Sequence, residues 1–294
     1  MRLSQTLSAG LLICALTPSI AVAQETDADQ ADRGAPISTS SGSGFNFKPS
    51  FTIGFDYSEG DFGSTAVDAD GDILETTTLS VPVSARLDVG DFRFSVTGSW
   101  VQIEGPGGVL PGGVIVDGDG AGVDPDVPAI SELETNDGFG DLTLGVNYNV
   151  PTSVTGAFLV QLQGRLKLPT ASNAALTTNE VDGGLAVDIA YPIGDFTPFV
   201  TTGFRWRGDP EGTNLNNTFN VSVGGSYNLP GGYAVVASYD FREETVDTAE
   251  ESQEIFGAIA GKFNDNLRWT VYGSVGFTDG APDQGAGFQL IASF

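Results

Sequence analysis

Residues 79–100 read LSVPVSARLDVGDFRFSVTGSW. Leu79, Val81, Val83, Ala85 and Leu87 alternate with Ser80, Pro82, Ser84 and Arg86. After the short turn Val89-Gly90-Asp91, the residues Phe92, Phe94, Val96, Gly98 and Trp100 alternate with Arg93, Ser95, Thr97 and Ser99. A period of two places each set on its own face of a strand. The two runs therefore form an antiparallel hairpin with one apolar face and one polar face. Each run is about ten residues long, enough for a tilted strand to cross a bilayer. Neither apolar face carries a charge. That ban has a physical cause in a membrane, where a Lys or Arg on the lipid face costs roughly 2–4 kcal/mol at mid-bilayer.

The same pattern recurs twelve times from Phe45 to the last residue, Phe294. Phe51, Ile53 and Phe55 share a face in the first run, Leu142, Leu144 and Val146 in the fourth, and Phe288, Leu290 and Ala292 in the twelfth. The tenth is the thinnest, with Ile255, Ile259 and Phe263. The opposite faces are expected to be polar, built from Thr, Ser, Asn, Gln, Gly and charges. Connections alternate in length. Val89–Asp91, Val150–Thr155, Pro192–Asp195, Leu229–Gly232 and Asn264–Asn266 are short; Ser58–Glu75, Glu104–Asp137, Pro169–Glu180, Gly208–Asn216, Glu243–Glu251 and Asp279–Gln284 are longer linkers. This predicts an all-β fold: a transmembrane antiparallel barrel of about 12 strands, with long extracellular loops and short periplasmic turns. An even strand number puts both ends of the barrel on the periplasmic side. Aromatics gather at run ends: Phe55, Tyr57, Trp100, Phe204 and Trp206 toward the long loops, Phe92, Tyr148, Tyr191, Tyr233 and Trp269 toward the turns. They predict two interfacial girdles. A secreted β-sandwich would alternate too, but with strands of about five or six residues and no need for two belts.

The 294 residues hold 38 acids against 12 bases, with no His and one Cys, for a net charge of -26. Nucleic-acid binding is excluded, because phosphate needs a basic footprint. Without His there is no Ser-His-Asp triad, no His general base and no His metal ligand. One Cys makes neither an internal disulfide nor a zinc site. At the start, Met1-Arg2, the apolar stretch Ala9–Leu16 and Ala21-Val22-Ala23 read as a signal peptide cleaved after Ala23. Cys14 is a poor lipidation site, since Ile13 stands where a small residue is needed. Residues 24–44 are polar and acidic with a Ser/Gly run, a composition that cannot form a core, and read as a flexible periplasmic leader. The barrel is expected over residues 45–294.

Charge divides sharply along the chain. The six long linkers hold 24 acids and no base, which hydrates exposed loops and keeps them apart. Asp68, Asp70 and Asp72, and again Asp117, Asp119, Asp124 and Asp126, offer oxygen ligands to a divalent cation, but neither run fits an EF-hand loop; Ile73 stands at the position of its glycine in the first. No metal site or cofactor is assigned. The bases lie instead on the polar faces. Arg165, Lys167, Arg205, Arg207 and Arg242 fall toward the extracellular mouth, and Lys48, Arg86, Arg93, Lys262 and Arg268 toward the periplasm. Asp56, Asp141, Asp182, Asp188, Asp240 and Glu254 share that face. All sixteen are candidate pore-lining residues. The same charges also serve as a structural ion-pair network in a narrow interior.

Two stretches carry a resemblance. Gly138-Phe139-Gly140-Asp141-Leu142-Thr143-Leu144 opens one strand and Gly164-Arg165-Leu166-Lys167-Leu168-Pro169-Thr170 closes the next. In that order they resemble the transporter-like outer-membrane proteins grouped as putative MetA-pathway phenol-degradation proteins, over about Gly138–Phe294. The resemblance implies a bacterial outer-membrane channel for aromatic or other small hydrophobic compounds. On physical grounds Asp141 is expected to pair with Arg165 or Lys167 on the neighbouring strand, and Pro169 to end its strand because it cannot donate to the ladder.

The expected function is passive, substrate-biased diffusion of small solutes. Twelve strands lie between filled eight-stranded barrels and open sixteen-stranded porins. The expected partners are outer-membrane lipid, the solute, and the outer-membrane assembly machinery through a last strand ending in Phe294. A surface adhesin or structural barrel acting through the acidic loops is the alternative. An enzyme is not expected.

Overall fold

A computed structural model of the chain describes residues 47–62, 67–68, 70–106, 133–210, 214–247 and 249–294, with backbone alone at 109–110 and 114–115. The signal peptide, the leader and Asp117, Asp119, Asp124 and Asp126 lie outside the described residues.

Twelve strands close into one antiparallel barrel. They are β1 (Phe47–Gly60), β2 (Thr76–Val89), β3 (Phe92–Pro106), β4 in two segments (Leu133–Phe139 and Leu142–Val150), β5 (Leu159–Leu168), β6 (Asp182–Ala190), β7 (Phe196–Trp206), β8 (Thr218–Leu229), β9 (Tyr233–Arg242), β10 (Ser252–Lys262), β11 (Leu267–Gly276) and β12 (Gln284–Ser293). Each pairs with its sequence neighbours, and β1 pairs with β12 from Ser50↔Ser293 to Glu59↔Gln284. Closure leaves no unpaired edge, which the hydrocarbon core requires. No described helix is long and apolar enough to cross a membrane; the strands do the crossing.

The alternation in the sequence becomes an inside-out burial pattern. Phe51, Ile53, Phe55, Val83, Phe94, Val96, Leu144 and Val271 are exposed on the outer face. Thr52, Ser84, Thr97, Ser222, Thr270 and Gln289 are buried inside. So large an apolar exterior marks a lipid-facing surface. Around the periplasmic rim the expected girdle is a chain of ring contacts: Phe92–Tyr148 at 4.8 Å, Phe158–Tyr191 at 4.9 Å, Tyr233–Trp269 at 6.2 Å and Phe51–Phe294 at 6.3 Å. At the other rim the Trp206 indole covers Gly183, where a Cβ would stand 2.3 Å from the ring. Glycine is required there by the close approach.

Three features depart from the sequence reading. The linker Glu104–Asp137 is not a loop at its ends: Trp100↔Phe139 through Pro106↔Leu133 continue the β3–β4 ladder. The turn after β4 holds a one-turn helix, α1 (Thr152–Thr155). And the inner face is not uniformly polar. Leu159, Ala190, Phe199, Ala234, Val236, Phe256, Ala258 and Tyr272 form one buried apolar cluster inside the barrel. The sequence carries consecutive apolar residues there, Phe158-Leu159-Val160, Phe199-Val200, Val235-Val236 and Ile255-Phe256. Such pairs supply both faces at once.

Candidate functional site in the barrel interior

At the extracellular end, β4 breaks at Gly140-Asp141, and the break aims Asp141 inward. Gly140 keeps its amide on the Ser99 carbonyl at 2.9 Å. Asp141 Oδ1 accepts the amides of Thr170 (2.8 Å) and Ala171 (2.9 Å), and its Oδ2 accepts the Thr177 hydroxyl (2.8 Å). Lys167 Nζ lies 3.5 Å from Asp141, 2.6 Å from Asp182, and donates to Thr178 Oγ1 at 3.1 Å. Of the two partners expected for Asp141, the fold uses Lys167. Ser172 and Phe139 add two more links, Phe139 N to Ser172 Oγ and Ser172 N to Phe139 O, both 2.8 Å. The loop after β5 is thereby drawn over the interior. Its Leu176 is fully buried against Val101 and Ile103 on the inner face of β3. Gly138 is constrained here twice, by a φ of +153° and by Ser172 Oγ standing 2.6 Å from any added Cβ.

Lower down, the polar wall is interlocked. Asp188 accepts from Gln163 and Thr201. Asp56 accepts from the Tyr272 hydroxyl. Ser238 donates to Asp240 at 3.1 Å, with Glu254 directly across from Asp240 in register. The stems of Arg165 and Arg205 flank Gly184, 3.2 and 3.4 Å from where its Cβ would stand. Arg242 donates to the Gly280 carbonyl at 3.3 Å, and Arg207, just past β7, to the Asn216 carbonyl (3.1 Å) and the Thr218 hydroxyl (3.0 Å). Asp56, Asp182, Asp188, Asp240, Glu254, Arg165, Arg205, Arg207 and Arg242 each have further partners. The apolar cluster faces this interior from β5, β6, β7, β9, β10 and β11.

The periplasmic end differs. There a cavity of about 320 Å³ is lined by Lys48, Arg86, Arg93 and Arg268, with the acids Asp88 and Asp265. Pro49, Ile291 and Phe294 add apolar atoms. Arg93 binds Asp88 through Nε at 2.7 Å and Nη2 at 3.3 Å. Asp265 takes Lys262 at 3.0 Å on the exposed rim, so Lys262 belongs to the turn more than to the interior. Arg86 has a partner of its own. Lys48 and Arg268 make no ion pair or side-chain hydrogen bond among the described residues.

The extracellular acids behave as loop chemistry. Asp68 Oδ1 accepts the amides of Asp70 (2.9 Å) and Asp72 (3.0 Å), shaping its own turn. No three acids are gathered to hold a metal among the described residues. Burial, then the charges of Asp61, Asp279 and Glu59, push the Asp283 carboxyl up from its ordinary value.

A closed twelve-stranded barrel with an apolar outer belt and a polar, charged interior is an outer-membrane β-barrel. The chain belongs to the family described as "Putative MetA-pathway of phenol degradation", which matches residues 38–294. Its fold is similar to that of an outer membrane channel from Pseudomonas putida F1, with 12% identity, 84% of this chain and 95% of that one covered, and a TM-score of 0.60. It is also similar to the NanC porin, with 9% identity, 83% and 98% coverage, and a TM-score of 0.50. No curated protein matches the chain in sequence.

Proposed function

We propose that the protein is a narrow outer-membrane channel for passive diffusion of small solutes, biased toward molecules with an apolar or aromatic part. One observation carries the bias. Phe199, Phe256 and Tyr272 belong to a buried apolar cluster inside the barrel, on strands that also carry Asp188, Thr201, Asp240 and Glu254. A water-filled porin would gain nothing from buried aromatics on its inner face. A permeant that is apolar on one side finds matching side chains there once the interior gives way to let it pass. The family assignment and the fold of the P. putida channel support the same reading. Interior side chains shielded from solvent on most strands make the passage narrow, so selection by size is steep. The loop held by Asp141 closes the extracellular end by contacts that a passing solute must displace.

Liposome swelling tests this. Vesicles carrying the folded protein should take up glycine-sized and benzoate-sized solutes and discriminate strongly against disaccharides. No swelling with any solute, from protein that still shows heat-modifiable migration, would contradict the channel. Equal rates for all sizes would contradict the narrow passage.

A further inference from the structure

We propose that the periplasmic end of the interior is a binding site for the carboxylate of a small amphipathic organic acid, with Lys48 and Arg268 as its direct ligands. The inference deepens the channel reading by naming a solute class. Charge accounting in the cavity leads to it. Four cations and two carboxylates line it. Asp88 is held by Arg93 and Asp265 by Lys262. Lys48 and Arg268, by contrast, line the cavity and make no ion pair among the described residues; Asp88, across from Lys48 in register, is held by Arg93. Arg86, nearly fully buried behind them, adds a third positive charge to the local field.

The extracellular end of the interior differs. Lys167 alone meets Asp141, Asp182 and Thr178. A surplus of positive charge in a partly enclosed space favours an anion, and a guanidinium paired with an ammonium suits a carboxylate. The cavity, about 320 Å³, lies at the small end of the range for organic ligands. Pro49, Ile291 and Phe294 supply apolar contacts beside the cations. The apolar cluster on β5–β7 and β9–β11 lies in the same interior, with Tyr272 on the same strand as Arg268. An organic acid with an apolar body fits this arrangement better than an inorganic anion, which would use the cations and leave the apolar atoms unmatched.

The test is calorimetric titration of the whole chain, purified from outer membranes in detergent, with benzoate, its neutral isostere benzamide, and inorganic phosphate. Benzoate should bind saturably, and both benzamide and phosphate at least about tenfold more weakly. The double variant Lys48→Gln/Arg268→Gln should lose about tenfold or more of the benzoate affinity while keeping heat-modifiable migration. If the double variant fails to fold, Lys48→Gln alone, at the exposed rim, should still weaken benzoate severalfold. Unchanged benzoate affinity in the folded variants, or benzamide binding as tightly as benzoate, would overturn the proposal. Phosphate binding as tightly as benzoate would overturn the organic-acid assignment. Binding is read without conduction, so a barrel that fails to swell liposomes can still pass this test, and the reverse.

Discussion

Lys167 and Lys48 sit at opposite ends of the same barrel and do opposite things. Lys167, on β5 near the extracellular mouth, is buried and meets two carboxylates and a hydroxyl. Lys48, on β1 near the periplasm, is exposed and meets none among the described residues. The difference lies in what each end must hold. The extracellular end carries a loop that has to be pinned over the interior, and a buried charge there must be paired to be tolerated. The periplasmic end is bounded by short turns, which need no pinning, and there Lys48 and Arg268 make no ion pair among the described residues. Identical residue types on the same face therefore differ in whether a carboxylate holds them, and Lys167 and Lys48 mark the two extremes.

The largest effect expected from that contrast comes at the pinned end. Asp141→Ala should leave Lys167 without one of its carboxylates and the amides of Thr170 and Ala171 without an acceptor. Breaking a buried pair by removing one partner costs about 3–5 kcal/mol. Urea titration in lipid vesicles would show it, and limited proteolysis should then cut within residues 170–178. A cost below about 1 kcal/mol would mean that the loop is held by something else. Next, Leu176→Ala should cost about 2–5 kcal/mol, as for other fully buried leucines, and should raise the conductance by clearing part of the mouth. At the periplasmic end, Lys48→Gln should change stability by no more than about 0.5 kcal/mol, as expected for an exposed side chain without partners, yet shift the reversal potential toward cations. A large stability loss there would break the contrast between the two ends.

The smallest effect concerns pH. The Asp283 carboxyl is raised in the folded protein, so its ionised form is less favourable there than in the unfolded chain. Its charge lowers stability above the folded pKa, and that penalty disappears as pH falls below the ordinary carboxylate range. Asp283→Asn should therefore stabilise the barrel slightly at pH 7 and leave it unchanged at pH 3. Denaturant midpoints at the two pH values read the difference.

The strands were legible because one constraint, lipid outside, acts on every second residue. Residues 79–100 alone define a hairpin whose register runs from Val81↔Trp100 to Val89↔Phe92. The interior was only half legible. A polar inner residue opposite an apolar outer one reads cleanly, as at Ser84 or Thr97. Phe199 and Phe256 do not: alternation puts Val200 and Ile255 on the outer face, but a rule of polar inner residues gives no place to the Phe beside each of them. The pairing of Asp141 with its neighbour strand followed from charge and register. The inward fold of the loop did not, since Leu176 is a single large apolar residue in a small and polar stretch, and only the Val101–Ile103 surface explains where it goes. The surplus at Lys48 and Arg268 was invisible for a similar reason. Sequence places bases on a face; only geometry says which acids are already taken.

The measurement that bears most directly on the account is single-channel current in a planar bilayer, comparing the wild-type protein with a variant in which residues 171–178 are replaced by a short Gly/Ser linker. A passage closed outside by the Asp141-held loop predicts discrete, small current steps for the wild type and larger ones for the variant. The absence of steps from both, with heat-modifiable migration intact, would contradict it and leave a barrel whose interior is filled rather than gated.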